Sequence, residues 1–129
     1  MHTKQQLMEL HAEHSEWQNK IRFYKEQLKN FENELSEFVK QNDSGEQMAA
    51  VEHFQNQFIM QREHLDIMRH DFKQYENAIE HMQEHAIDKT AEGLHVLQEN
   101  NSDRLLQFEK LFHELRHEFY AFLNKSLVV

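Results

Sequence analysis

Cysteine and proline are absent from this 129-residue chain, and glycine occurs only at Gly45 and Gly93. Average usage would give roughly 6 prolines and 9 glycines in a chain of this length. Proline breaks helices and glycine weakens them, so their scarcity predicts a nearly all-helical protein. The lack of cysteine excludes disulfides, thiolate metal sites and cysteine nucleophiles.

Long apolar runs are also missing. No segment approaches the roughly 18 apolar residues that a membrane span needs. Residues 1–6 lead directly into an amphipathic pattern instead of a secretory signal. We therefore expect a cytoplasmic protein with no membrane partner. The net charge of −9 argues against binding a phosphate backbone, so we expect no nucleic-acid partner.

The most informative feature that is present is a regular spacing of apolar residues. Over residues 7–38 they recur at alternating steps of three and four, interrupted only by His14. A second series of this kind covers residues 51–86, with Gln61 as its polar member. This spacing is typical of the seam of a coiled coil, in which one stripe of each helix faces its partners.

Two interruptions divide the chain into three helices. Residues 42–46 combine Asn, Asp, Ser and Gly, which is turn chemistry, and Gly45 can supply a positive φ. After residue 90 the apolar frame is out of register with the second seam, which predicts a second turn near residues 87–90. Residues 100–102 are predicted to form a kink, or alternatively to hold the second turn.

We predict one all-α domain over residues 1–129, an antiparallel three-helix bundle or coiled coil with helices at about 3–41, 47–87 and 90–126. Rods of equal length close such a bundle without leaving an unpaired end. In helix count and order the arrangement resembles spectrin-like three-helix bundles, a likeness of shape with no shared motif.

Two polar residues interrupt the predicted core. Folding the helices back at the turns places His14 level with Phe72 and Tyr75, where we expect a neutral, hydrogen-bonded histidine. The same folding places Gln61 near the level of Tyr24, where a buried amide would set the helix register. The many aromatic residues along the seams are interpreted as core and not as a haem pocket.

Histidine is unusually frequent, with 11 residues. His81 and His85 are four residues apart on one helix face, a spacing that can chelate a divalent cation. His113 and His117 have the same spacing, but the heptad frame places both on the solvent side. A His-rich divalent-metal-binding protein is therefore the alternative function, whereas we expect no cofactor and no resident metal. Titration of the histidines also suggests assembly that responds to pH.

Apolar residues outside the seams carry the stronger functional signal. Phe23 on the first helix has this property, as do Ile59, Met60 and Ile67 on the second. They form either a wider core stripe or an exposed ridge that contacts a partner. No phosphate-binding glycine loop, serine elbow or buried carboxylate pair is visible, so we predict no enzyme activity. We predict a bundle that acts through protein–protein contacts, as a homo-oligomer such as a dimer or as an adaptor.

Overall fold

The computed structural model describes the backbone of residues 4–42, 45–85 and 91–127, and the side chains of residues 5, 8–42, 45–81 and 98–125. Three helices make up this part of the chain, namely α1 (Lys4–Gln41), α2 (Met48–His85) and α3 (Ala91–Leu127). They pack against one another, and the described ranges contain no strand. The predicted all-α three-helix bundle is confirmed.

The first connection uses the predicted turn chemistry. After α1 ends, the Asn42 side chain donates a hydrogen bond of 2.9 Å to the Phe38 carbonyl, which would otherwise lack a partner at the helix end. Gly45 has a φ of 80°, a left-handed conformation that glycine adopts without strain. Its carbonyl accepts a hydrogen bond of 3.3 Å from the Met48 amide, where α2 begins. The chain therefore reverses direction, and α2 runs antiparallel to α1.

The second connection lies between the end of α2 at His85 and the start of α3 at Ala91. Residues 86–90, which include the whole of the turn predicted near residues 87–90, lie outside the described part of the chain. α3 is helical through residues 100–102, so the alternative turn in that segment is wrong. The three helices contain 38, 38 and 37 residues. Each is therefore a rod of about 57 Å, as the matched-length argument predicted.

The core follows the predicted seams and is rich in aromatic rings. Phe31 of α1 is fully buried at its centre. Its ring lies 5.7 Å from the ring of Phe58 on α2, and 5.6 and 5.5 Å from those of Phe112 and Phe119 on α3. Such contacts are within the range in which aromatic pairs attract each other beyond simple burial. The aromatic stripe is therefore packing that joins all three helices.

The alignment of α1 with α2 differs from the prediction by about one helical turn. Trp17 packs against the rings of Phe72 and Tyr75, at centroid distances of 4.9 and 5.6 Å, at the level that the prediction gave to His14. His14 instead contacts Glu76, with 3.1 Å between Nε2 and the carboxylate. The prediction assumed a fold-back point at residues 43–44, whereas packing of the large rings sets the register in the structure.

The level of Gln61 along α1 also differs from the prediction, and in the same direction as that of His14. Its neighbour Arg62 pairs with Glu32 of α1, so Gln61 lies about two turns from the predicted level of Tyr24. Gln61 is half-buried, and its Oε1 has no hydrogen-bond partner among the described residues.

α1 and α3 run parallel. Glu13 accepts a hydrogen bond from Gln98, and Glu109 accepts one from Tyr24, and in both pairs the two residues are 85 positions apart. A constant separation of this kind is expected only when two helices point the same way and stay in register.

Candidate functional site

The four predicted interface residues are all exposed on the described surface. The exposed fractions are 55% for Phe23, 51% for Ile59, 58% for Met60 and 56% for Ile67. The interpretation in which they widen the core stripe is therefore wrong. Their binding to a partner stays a prediction.

These four side chains do not share one surface. Phe23 lies one turn from Lys20, which pairs with Glu109 of α3, so Phe23 flanks the groove between α1 and α3. Ile59 lines the groove between α1 and α2, together with Leu35 of α1. A single partner contact therefore cannot cover Phe23 and Ile59 without wrapping around the bundle.

Met60 and Ile67 lie on the side of α2 that faces α3. Together with His64 they follow one stripe of the helix, at steps of four and three residues. His64 marks the direction of this stripe, because its ring contacts the ring of Phe108 on α3. Met60 and Ile67 therefore border the α2–α3 groove, one on each side of His64.

Leu111 of α3 completes this surface. It is 39% exposed and lies seven residues after Arg104, which pairs with Asp71 of α2. Seven residues are two helical turns, so Leu111 and Arg104 share the flank of α3 that faces α2. Because α2 and α3 are antiparallel, Leu111 lies opposite His64. We call the surface formed by these side chains the His64 patch, which consists of Met60, His64, Ile67 and Leu111.

His64 is half-buried at the centre of the patch. Its ring meets the Phe108 ring edge-on, at 5.6 Å between centroids and 89° between planes. Burial lowers the pKa of His64, because the charged imidazolium would lose hydration, and the positive charge of Arg104 lowers the pKa further. The imidazole is therefore neutral at pH 7, and the centre of the patch can contact apolar groups without burying a charge.

Sequence reasoning did not select Leu111. Leu111 lies between the seam residues Phe108 and Phe112, so that in the sequence it cannot be distinguished from a residue of the apolar stripe. The available signal was its spacing of seven residues from Arg104, which places the two on the same flank of α3. This spacing indicates a position beside α2 only when Arg104 is known to pair with Asp71.

The predicted metal-chelating pairs are separate from this patch. His81, His113 and His117 are exposed, and the side chain of His85 lies outside the described residues. Among the side chains that the structure describes, no group of three or more His, Asp or Glu residues could hold a metal ion. Chelation by either histidine pair stays a prediction.

Several buried polar atoms lie close to the end of the bundle at which α1 begins. His14 Nδ1, Tyr75 Oη and Asn101 Nδ2 are buried and have no hydrogen-bond partner in the described structure. Burial lowers the pKa of His14, and the hydrogen bond of His14 to the Glu76 carboxylate opposes this effect without overcoming it. The sequence predicted a neutral His14 in the core. It did not predict Asn101, whose position four residues before the seam residue Leu105 was the available signal.

No protein family, curated protein or solved structure shows significant similarity to this chain. Over the described residues, none of the three helices combines the length and the apolar character needed to cross a membrane.

Proposed function

We propose that this protein acts through protein–protein contacts and that two copies of the chain associate through the His64 patch. One observation carries the proposal: three exposed apolar side chains from two helices surround a neutral, half-buried histidine. Single exposed apolar residues are normal on soluble proteins. A group rimmed by polar residues is more often a contact surface.

The arrangement of the patch suits a second copy of the same chain. Met60 and Ile67 lie on opposite sides of His64, along the axis of α2. A twofold axis through the level of His64 would therefore bring Met60 of one copy against Ile67 of the partner copy, and the reverse. Such a self-complementary contact is the usual arrangement of homodimers.

The patch would form only the apolar centre of the contact. Stable interfaces bury about 1,200–2,000 Å² in total, which is more than a few side chains supply. Two rods of about 57 Å that pack side by side provide the remaining area along α2 and α3. A few central residues usually carry most of the binding free energy, so single substitutions in the patch should have large effects.

Sedimentation velocity on purified protein, without a His-tag, tests the proposal. We expect the wild type to dimerise at micromolar concentration and Ile67→Glu to weaken dimerisation at least about 30-fold, because a carboxylate would be buried without a partner. Leu106→Glu is the matched control, since Leu106 is 62% exposed and lies one turn before Glu109, the α3 residue that pairs with Tyr24 of α1. It should dimerise like the wild type.

Two outcomes would contradict the proposal. One is a wild type that remains monomeric at high micromolar concentration. The other is equal dimerisation of Ile67→Glu and the wild type. Phe23→Glu and Ile59→Glu identify the interface in the second case, because each changes a different groove. Circular dichroism of every variant shows whether the bundle stays folded.

The proposal includes a binding role without catalysis and a cytoplasmic location, both of which continue the sequence-based expectations. Cell fractionation with an antibody to the untagged protein tests the location directly.

A further inference from the structure

The groove between α1 and α2 next to His14 differs in charge from the rest of the protein. It has a volume of about 570 Å³, and Arg22, Arg69 and Lys73 line it together with Asp66 and Glu76. Cations therefore outnumber carboxylates in this groove, whereas the whole chain carries a net charge of −9. A local excess of positive charge on an acidic protein calls for a physical explanation.

Elsewhere between α1 and α2, charged side chains meet as opposite charges. Lys25 of α1 pairs with Asp66 of α2, and Glu32 of α1 pairs with Arg62 of α2. Each of these pairs compensates its own charge across the groove.

Arg22 and Arg69 differ from these pairs, because two positive charges lie at the same level of the groove. Arg22 precedes Lys25 by three residues, and Arg69 follows Asp66 by three residues. Because the helices are antiparallel, both arginines lie one turn beyond the Lys25–Asp66 pair and therefore at the same level. Among the described residues, neither guanidinium has a carboxylate within 4 Å, and Arg22 donates only to the Asn19 amide oxygen, at 2.6 Å.

The two carboxylates in the groove are already engaged. Asp66 accepts a hydrogen bond from Lys25, which lowers the pKa of Asp66, and the charge of Arg69 contributes to the same shift. Glu76 lies 3.1 Å from His14 Nε2 and 3.8 Å from Lys73 Nζ. The guanidinium groups of Arg22 and Arg69 therefore line the groove without an ion pair of their own among the described residues.

The groove also has a polar floor. His14 lines it and is 4% exposed, and His14 Nδ1 has no hydrogen-bond partner in the described part of the chain. The other ring nitrogen, Nε2, already contacts the Glu76 carboxylate of the groove.

We propose that this groove binds a small oxyanion of the phosphate class between Arg22 and Arg69, with Lys73 as a third cation. The planar guanidinium of arginine donates two parallel hydrogen bonds to oxyanions of this shape. A bound dianion would also remove the repulsion between the two arginines. Free phosphate and the phosphate of a monoester present the same chemistry, so both serve as probes.

The test is a titration of the full chain with inorganic phosphate at pH 7, at constant ionic strength maintained with sodium chloride, followed by ¹H–¹⁵N NMR. We expect saturable shifts in residues that line the groove. Arg69→Gln should weaken binding at least about tenfold, because it removes a charge-assisted, bidentate donor. Lys110→Gln is the matched control, since it removes the same charge from an exposed position on α3.

Arg69→Lys separates charge from geometry. It keeps the positive charge but loses the planar fork, and we expect affinity between those of the wild type and Arg69→Gln. Arg22→Gln tests the opposite wall of the groove and should weaken binding as Arg69→Gln does. Because the two positions lie on different helices, Arg22→Gln also replaces Arg69→Gln if that variant fails to fold.

The proposal fails if the wild type shows no saturable shifts with phosphate. It also fails if Arg69→Gln and Lys110→Gln weaken binding equally, because that result indicates attraction by net charge alone. A parallel titration with O-phosphoserine distinguishes the source of the anion. Tighter binding of the ester supports a phosphomonoester ligand, and tighter binding of inorganic phosphate supports the free ion.

Discussion

The Tyr24 hydroxyl donates a hydrogen bond of 2.7 Å to the Glu109 carboxylate and so connects α1 with α3. Lys20 approaches the other oxygen of the same carboxylate at 3.3 Å. The Tyr24 ring is buried against Phe108 and Phe112, at centroid distances of 5.3 and 4.7 Å. A single side chain thus packs in the core and also fixes how α1 is rotated against α3.

The change Tyr24→Phe tests the contribution of this hydrogen bond. Phenylalanine keeps the ring contacts but removes the donor, and a hydrogen bond to a charged group contributes about 1.5–3 kcal/mol. We expect the free energy of unfolding, measured by urea denaturation, to fall by about 1.5 kcal/mol. Tyr120→Phe is the control, because the Tyr120 hydroxyl bonds Glu34 at a more exposed position and should contribute less. Equal losses in the two variants would contradict the assigned role.

Acid should destabilise the bundle through the buried His14 and the half-buried His64. The folded state lowers the pKa of His14 and His64 below the ordinary value of 6.5. The stabilisation that comes from keeping these side chains neutral is fully present above pH of about 6.5, the value in the unfolded chain. It decreases as the pH falls below that value and is lost once the pH passes the folded-state pKa. We expect thermal unfolding to shift to lower temperature between pH 7.5 and pH 5.5.

His14→Leu separates the contribution of His14 from that of other groups. Leucine fills the seam position without a titratable group, so the variant should lose less thermal stability on acidification than the wild type. His117→Gln removes an exposed histidine and should retain the pH dependence of the wild type. If His14→Leu keeps the full pH dependence, His14 is not responsible for it. The charges that act on His14 include Glu76 and Lys73 of α2 and His11 of α1.

Asn101 offers a prediction of increased stability. The residue is 2% exposed, and Nδ2 has no hydrogen-bond partner among the described residues. Burying an amide N–H group without a hydrogen bond costs about 1–3 kcal/mol. Asn101→Leu should therefore raise the free energy of unfolding by about 1 kcal/mol, measured by urea denaturation. Asn100→Leu, at the exposed neighbouring position, should change it by less than about 0.5 kcal/mol. A loss of stability in Asn101→Leu would show that the amide has a partner or a role in helix register.

The helices could be predicted because their signal is local. The predicted start of the second helix at residue 47 lies one residue before the observed start at Met48, whereas the predicted starts at residues 3 and 90 lie outside the described residues. Periodicity of three and four residues depends only on the geometry of one helix, and the turn at Gly45 depends only on its neighbours. The alternative turn at residues 100–102 was wrong, because Asn101 is a core residue of a continuous helix.

Three long amphipathic helices with an aromatic core therefore follow from the amino-acid pattern, because a periodic apolar stripe can be recognised without knowledge of distant residues. The pattern does not show which flanks of the helices meet. Packing of the core rings sets the rotation and register of each helix. That packing separates Phe23 and Ile59 from Met60, brings Leu111 beside His64, and places Arg22 level with Arg69.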